Sequence, residues 1–376
     1  MKHELSWQEN GHLIRRVWLC ESHLSPPKQV LVADDTLKAD AFYAQASQGA
    51  GFLWRGDFQN AKQLLQAVGR RLIKNSKPLE DKLNLTERFH RHRQAQAHRA
   101  QLLARLLIPV ENDFTIPLGR APDVRLALAE ALEPMASGFV MSLREILGLI
   151  GAHEWRKKGV LIPALNANIH PHYGIFSPVR GEYLDLIAKA PLPNPANCAF
   201  DIGTGTGVIA ALLLKRGVPQ VVATDLDPRA LACARDNLNR LGLMTKVEII
   251  QTDLFPNGRA DLIVCNPPWV PAKPTSRVEQ AIYDPDSRML KSFLTKVGEH
   301  LTAEGEAWLI LSDLAERLGL RSEDDLTRWI LAADLRVLEV LTATPQHAKA
   351  KDQTDPLYEA RAKEVTKLIR LKKNSP

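Results

Sequence analysis

Ala199-Phe200-Asp201-Ile202-Gly203-Thr204-Gly205-Thr206-Gly207 is the stretch whose reading decides the fold. A short apolar run ends in an acid, a glycine turn follows, and Val208 to Leu214 reads as a buried helix. Strand, tight loop and helix open a βαβ unit. Glycines let a backbone approach a bound ligand closely, because no Cβ stands in the way. The helix N-terminus offers N–H groups and partial positive charge to an anionic group. The dinucleotide spacing G-x-G-x-x-G is not met, since Val208 stands where the third small residue would fall.

Three further strand tips follow. Val221-Val222-Ala223-Thr224 ends at Asp225, 18 residues past Gly207. A carboxylate there can accept both hydroxyls of a ribose, each charge-assisted bond contributing roughly 1.5–3 kcal/mol. Val247 to Ile250 leads to Thr252-Asp253-Leu254-Phe255, where Asp253 can accept from an adenine amino group. Leu262-Ile263-Val264-Cys265 runs into Asn266-Pro267-Pro268-Trp269. The prolines stiffen that loop and cannot continue a strand. The Asn266 amide oxygen and the Pro267 carbonyl can accept from one planar NH2 group. The Trp269 indole either offers a flat face for stacking or serves as a core residue. All four tips lie at carboxyl ends of strands, where open α/β sheets bind ligands.

On these residues the chain resembles the class I S-adenosylmethionine-dependent methyltransferases, and among them the N-methyltransferases with the signature (N/D)-P-P-(F/Y/W). The glycine turn, Thr252-Asp253-Leu254-Phe255 and Asn266-Pro-Pro-Trp-Val-Pro271 resemble the HemK/PrmC protein-glutamine methyltransferases. Gly174-Ile175-Phe176-Ser177 resembles a segment of the small-domain rRNA guanine methyltransferases. The similarity covers about residues 173 to 371. It implies an α/β, Rossmann-like sheet of seven strands in the order 3-2-1-4-5-7-6, with strand 7 antiparallel, and S-adenosyl-L-methionine as cofactor. Gly203, Thr204, Gly205 and Gly207 would take its methionine end, Asp225 the ribose and Asp253 the adenine amine, between Leu226 and Leu254. Asp201 would either accept from the cofactor ammonium or only hold the loop. Asn266, Pro267, Pro268 and Trp269 would be catalytic, holding a planar amino group toward the methyl. The same segment around Phe176 would cover the cofactor.

A chain of 376 residues implies two domains. We place the boundary near 150 to 165, giving an N-terminal substrate-recognition domain over 1–160 and a catalytic domain over 166–376. Hydrophobic content of 45% and charged content of 24% are those of a soluble globular protein. The start is polar, no run of 18 apolar residues exists, and a cytoplasmic location without membrane association is expected. Cys20, Cys198, Cys233 and Cys265 show neither disulfide nor metal spacing, as expected of free thiols. His90, His92 and His98 do not share a helix face, so no metal is expected.

The formal charge of +6 gathers in two places. Residues 86–107 carry five arginines against Glu87, and residues 346–376 carry eight basic against four acidic residues. Such patches are either phosphate-facing or simply solvated.

The first 75 residues read as either a small α/β unit or a mostly helical one, with a strand near Val30–Ala33 and another at Gly51–Trp54. Asp57 is expected to cap a helix over Phe58–Lys74. Further helices are expected over Glu87–Leu107, from Asp123 to Glu133, from Ser142 to Ile150, and over Val179–Ala190 with Ser177 as cap. Between strands 6 and 7 lies a basic loop with Lys349, Lys351 and Arg361. The acceptor is therefore a macromolecule with a planar NH2. The basic helix and the Gly-Ile-Phe-Ser segment favour an RNA base, with a protein glutamine as the alternative. Oligomeric state is not legible.

Overall fold

The computed structural model describes residues 3–22, 24–74, 83–274, 278–345 and 351–374. Its contacts divide the chain into two units, Met1–Asp81 with His90–Glu154, and Lys82–Phe89 with Trp155–Pro376.

The first unit is α/β, which decides between the two readings of the N-terminal region. Its strands are β1 (His3–Glu9), β2 (His12–Trp18), β3 (Gln29–Ala33), β4 (Ala50–Trp54), β5 (Leu106–Val110) and β6 (Phe139–Ser142). They form one mixed sheet in the order β1-β2-β6-β5-β4-β3. Asn10 and Gly11, at φ of 54° and 79°, make the tight turn of the β1–β2 hairpin. Helices α1 (Ala39–Ser47) and α2 (Phe58–Lys74) join the parallel strands β3, β4 and β5. Asp57 Oδ1 accepts from the Gln59 N–H at 2.8 Å, so the expected cap of α2 is present.

Helix α3 (Leu85–Leu103) is shorter than the expected Glu87–Leu107. Leu106 and Leu107 instead enter β5, whose five residues are all buried between β4 and β6. Pairing a wholly apolar run outweighs the weak local helix preference. The helix expected from Asp123 to Glu133 is likewise only α4 (Arg125–Ala129). Pro134 disfavours helical geometry at the residue before it. Ser142 Oγ accepts from the Glu145 N–H at 3.2 Å, and α5 (Leu143–Lys158) runs past Ile150.

The second unit begins with the hairpin β7 (Val160–Ile162) and β8 (Ala167–Ile169) and helix α6 (Glu182–Lys189). Helix α6 starts at Glu182 rather than Val179, and Ser177 is not its cap. The side chain of Arg180 is drawn instead into ion pairs with Glu182 and Glu364. Then follow β9 (Cys198–Ile202), α7 (Val208–Lys215), β10 (Gln220–Asp225), α8 (Pro228–Arg240), β11 (Val247–Gln251), β12 (Ala260–Cys265) and α9 (Arg288–His300). The chain closes with β13 (Leu301–Ser312), α10 (Leu314–Arg317), α11 (Glu323–Ala332), β14 (Leu335–Ala343), α12 (Tyr358–Ala362) and β15 (Thr366–Lys373).

These strands form a seven-stranded sheet in the order β11-β10-β9-β12-β13-β15-β14, which is 3-2-1-4-5-7-6 counted along the unit. Strand β15 is antiparallel to both neighbours, and the remaining pairs are parallel. All six residues of the central β12 are buried. Apolar clusters cover both sheet faces, one around α7 and Leu212, the other around α9 and Phe293. Each fully buried Leu or Phe contributes about 1.5–3 kcal/mol. The four cysteines are free. Lys349 lies outside the described residues, and the basic loop holds α12. Among the described residues no helix is long and apolar enough to cross a membrane.

Gly207 and Gly217 both sit at positive φ, 79° and 99°. A Cβ on Gly217 would meet nothing within 4 Å, whereas one on Gly207 would lie 3.1 Å from Ala234 Cα on α8. Gly217→Ala should therefore cost about 1–2 kcal/mol of backbone strain. Gly207→Ala should cost about 1–3 kcal/mol more from overpacking. Urea denaturation of the two variants measures the difference.

Candidate active site

The glycine turn is built from its two flanking acids. Asp201, fully buried at the end of β9, accepts through Oδ2 from the Thr204 hydroxyl at 2.6 Å and the Ala210 N–H at 3.0 Å. It thereby ties the turn to the first residues of α7. Asp225 at the tip of β10 accepts the Gly205 N–H at 3.1 Å through Oδ2 and the Asp227 N–H at 3.0 Å through Oδ1. Thr204 is buried, with its hydroxyl on Asp201 and its N–H on the Thr224 carbonyl, so it supports the turn from within.

Gly203, Gly205 and Gly207 all have positive φ. Only Gly205 leaves open space: a Cβ there would find nothing nearer than the Gly203 carbonyl at 4.0 Å. Beside it, Leu226 is 65% exposed, an unusual position for a large apolar side chain. Leu254 is partly buried at φ 71°, and its carbonyl accepts from Thr224 Oγ1 at 2.6 Å. Asp253 is exposed. Asp201 Oδ1 and Ser177 Oγ are among the buried side-chain oxygens that lack a partner among the described residues. Open space over the turn, an exposed apolar flank, a strand-tip carboxylate and an unpaired buried oxygen fit a nucleoside ligand bearing a cationic end.

The second half of the site is Asn266 to Trp269. Trp269 donates its Nε1–H to Asn266 Oδ1 at 2.8 Å, which fixes which end of the carboxamide faces the ring. The partly buried indole packs against three apolar clusters. The Arg180 guanidinium lies over the ring, 4.8 Å from its centroid. Of the two readings of Trp269, stacking face or core residue, this packing favours the second: one ring face carries the Arg180 cation, a contact that gains about 0.5–2 kcal/mol. The third cluster includes Phe89, which meets Tyr283 edge-on at 6.4 Å.

Some supporting residues were not picked out from the sequence. Asn237 on α8 accepts the His170 N–H at 2.7 Å and donates to the Thr206 carbonyl at 3.1 Å, joining the β8 segment to the turn. Asp284 accepts the Met289 and Leu290 N–H groups and so caps α9. Arg180, Glu182 and Glu364 form the ion-pair group already noted. The i to i+4 phasing of α8 could have marked Asn237 as inward-facing; Arg180 and Glu364 lie too far apart in sequence for any local signal. His170 and His172 bond to the Arg156 carbonyl and to Asp236. Among the described residues no group of three or more His, Cys, Asp or Glu could hold a metal.

Burial pushes the Asp201 carboxyl up to about 7, against the opposing hydrogen bonds from Thr204 and Ala210. Burial also raises Asp225 and Asp284. A raised folded-state pKa means that folding takes up a proton, so the stability Asp201 contributes is full near pH 4 and is lost as pH rises through about 7. Asp201→Asn should flatten that fall. Urea denaturation at pH 5 and pH 8 compares the two slopes; equal slopes would show that Asp201 ionises as freely folded as unfolded.

The family described as Methyltransferase small domain matches residues 167–317. The release factor glutamine methyltransferase of Cereibacter sphaeroides is 39% identical over 118 residues, covering 31% of this chain and 40% of that protein. The corresponding protein of Deinococcus radiodurans is 42% identical over 92 residues, 23% of this chain and 32% of its own length. The ribosomal protein L11 methyltransferase of Pelotomaculum thermopropionicum is 42% identical over 75 residues, 19% and 24% of the two chains. The chain thus spans less than half the length of each of these relatives. Residues 167–317 thus resemble a methyltransferase small domain, and the strand order is the one this resemblance implies.

Proposed function

We propose that this domain transfers a methyl group to the planar NH2 of a macromolecule, and that the acceptor is the side-chain amide of a protein glutamine. The observation that carries this reading is the Asn266–Trp269 corner. A wholly buried strand ends in two prolines, and the Asn266 carboxamide is held by the Trp269 indole N–H. The second lone pair of Asn266 Oδ1 and the Pro267 carbonyl then remain to accept the two N–H bonds of an acceptor. The Arg180 guanidinium covers the Trp269 face. A nucleobase would want that face; a slender amide does not. The relatives named as release factor glutamine methyltransferases support the same class of acceptor.

S-Adenosylmethionine, when bound, supplies an electrophilic sulfonium methyl. In this reading the backbone of Gly203, Gly205 and Gly207 receives its methionine portion, and Asp225 accepts from the ribose. Leu226 and Leu254 flank the adenine, and Asp253 accepts from its amine. Asp201 and Thr204 shape the turn. Asn266 and Pro267 hold the acceptor nitrogen so that its lone pair leaves the amide plane. They also stabilise the positive charge that develops there. Holding the nitrogen in line is worth about 7–11 kcal/mol of the barrier. Pro268 keeps the corner rigid.

A second reading, methylation of an RNA base amine, is favoured by the exposed Arg91 and Arg99 on α3, where residues 94 to 99 are all exposed. Tritiated methyl transfer into cell lysate separates the two. A glutamine product is released by protease and yields labelled methylamine on acid hydrolysis. Label released by nuclease instead would establish the RNA reading.

Asn266→Ala should lower turnover by on the order of 10²–10³, with cofactor affinity by calorimetry unchanged. Asp225→Asn should do the reverse, weakening cofactor binding by about 1.5–3 kcal/mol. Loss of cofactor binding in Asn266→Ala, with full turnover at saturation, would remove Asn266 from the reaction.

A further inference from the structure

Arg180 joins groups that no motif connects. Its Nε donates to Glu182 Oε1 at 2.8 Å and its Nη2 to Glu364 Oε1 at 3.0 Å. Its face lies on Trp269, 4.8 Å from the ring centroid. Both carboxylates are buried, Glu364 at 2% exposure and Glu182 at 8%, and Glu364 also accepts from Ser312 Oγ at the end of β13. Trp269 in turn donates to Asn266 Oδ1. An unbroken set of contacts therefore runs from two buried acids through one guanidinium and one indole to the carboxamide.

The residue types suit this arrangement. A guanidinium meets two carboxylates at its edge while its flat face stacks on a ring; an ammonium cannot do both. A carboxamide needs such fixing. The torsion before it is broad, and a half-turn exchanges oxygen for NH2. An Asn266 turned that way would present a donor to the acceptor's own N–H bonds.

We propose that Arg180 is a positioning residue of the methyl-transfer site: it seats Trp269, and through the indole N–H it fixes the orientation of the Asn266 carboxamide. The proposal rests on the reading of Asn266 as the group that grips the acceptor. It also explains why α6 begins late, since a helix continued back through Val179 would redirect Arg180.

The test uses the full chain with Arg180→Met, Arg180→Lys and Glu364→Gln. Nuclear magnetic resonance of the ¹⁵N-labelled protein follows the Trp269 indole N–H, assigned by its loss in Trp269→Phe, and the Asn266 side-chain NH2, assigned by its loss in Asn266→Ala. Arg180→Met should shift and broaden both signals and speed exchange of the indole proton with solvent. Arg180→Lys, which keeps the charge but not the stacked fork, should fall between Met and wild type. Cofactor affinity should not change. Turnover on the labelled lysate fraction should fall on the order of tenfold to a hundredfold. Glu364→Gln loosens the clamp from one side and should give a smaller shift of the same sign, which serves if Arg180→Met does not fold. Unmoved Trp269 and Asn266 signals in folded Arg180→Met, or moved signals with full turnover, would overturn the proposal. A wild-type protein that labels nothing in lysate sinks the methyl-transfer reading alone, and the two resonances still decide whether Arg180 holds the carboxamide.

Discussion

The second unit depends on one buried carboxylate closing one turn. Asp201 is fully buried and faces the helix it precedes, binding both the Thr204 hydroxyl and the Ala210 N–H. Without those bonds the chain between β9 and α7 would have to satisfy the same donors with water at the centre of the sheet. With them, three residues at positive φ are held in place and Gly205 faces open space. Asp225 completes the arrangement from the neighbouring strand by taking the Gly205 N–H. The price is a desolvated acid, visible as a carboxyl pushed up to about 7. A turn that needed only to connect strand and helix would not require such an acid.

The other half of the site is governed by packing. Trp269 touches three apolar clusters, so its ring is the place where the cover of α7, the cover of α9 and the group around Phe89 meet. A side chain surrounded in this way has little freedom, and its one polar atom is spent on Asn266. The prolines ensure that the chain leaves the strand abruptly. Rigidity at Asn266 thus has two sources, backbone and indole.

The central strands and their tips were legible because each is a continuous apolar run ending in polar residues, the pattern of a doubly covered parallel sheet. The tips at Asp225 and Asn266 and the cap at Asp57 followed from local chemistry. The N-terminal hairpin carried a readable Asn10-Gly11 signal between alternating runs, with Leu5 and Trp7 on the buried face, yet the polar content of those runs hid it. The parallel pairing of β2 with β6 was not legible, since it joins residues more than 120 positions apart. The ends of α3 and α6 were misjudged for the same reason. Leu106 and Leu107 answer to flanking strands, and Arg180 to a glutamate 184 residues away. The covered face of Trp269 is the functional consequence of that last long-range contact.

The chain is basic overall, at a formal +6, yet the groups around its glycine turn are acids. Asp201 and Asp225 are both raised by burial; the charge of Asp225 raises Asp201 further, and that of Asp227 raises Asp225. Burial of paired like charges is unfavourable unless something positive reaches them. No lysine or arginine bonds to either acid among the described residues; their partners are backbone N–H groups and the Thr204 hydroxyl. Each Asp225 oxygen takes one backbone N–H and keeps a second lone pair, so the tip of β10 still offers acceptors to a ligand that carries hydroxyls.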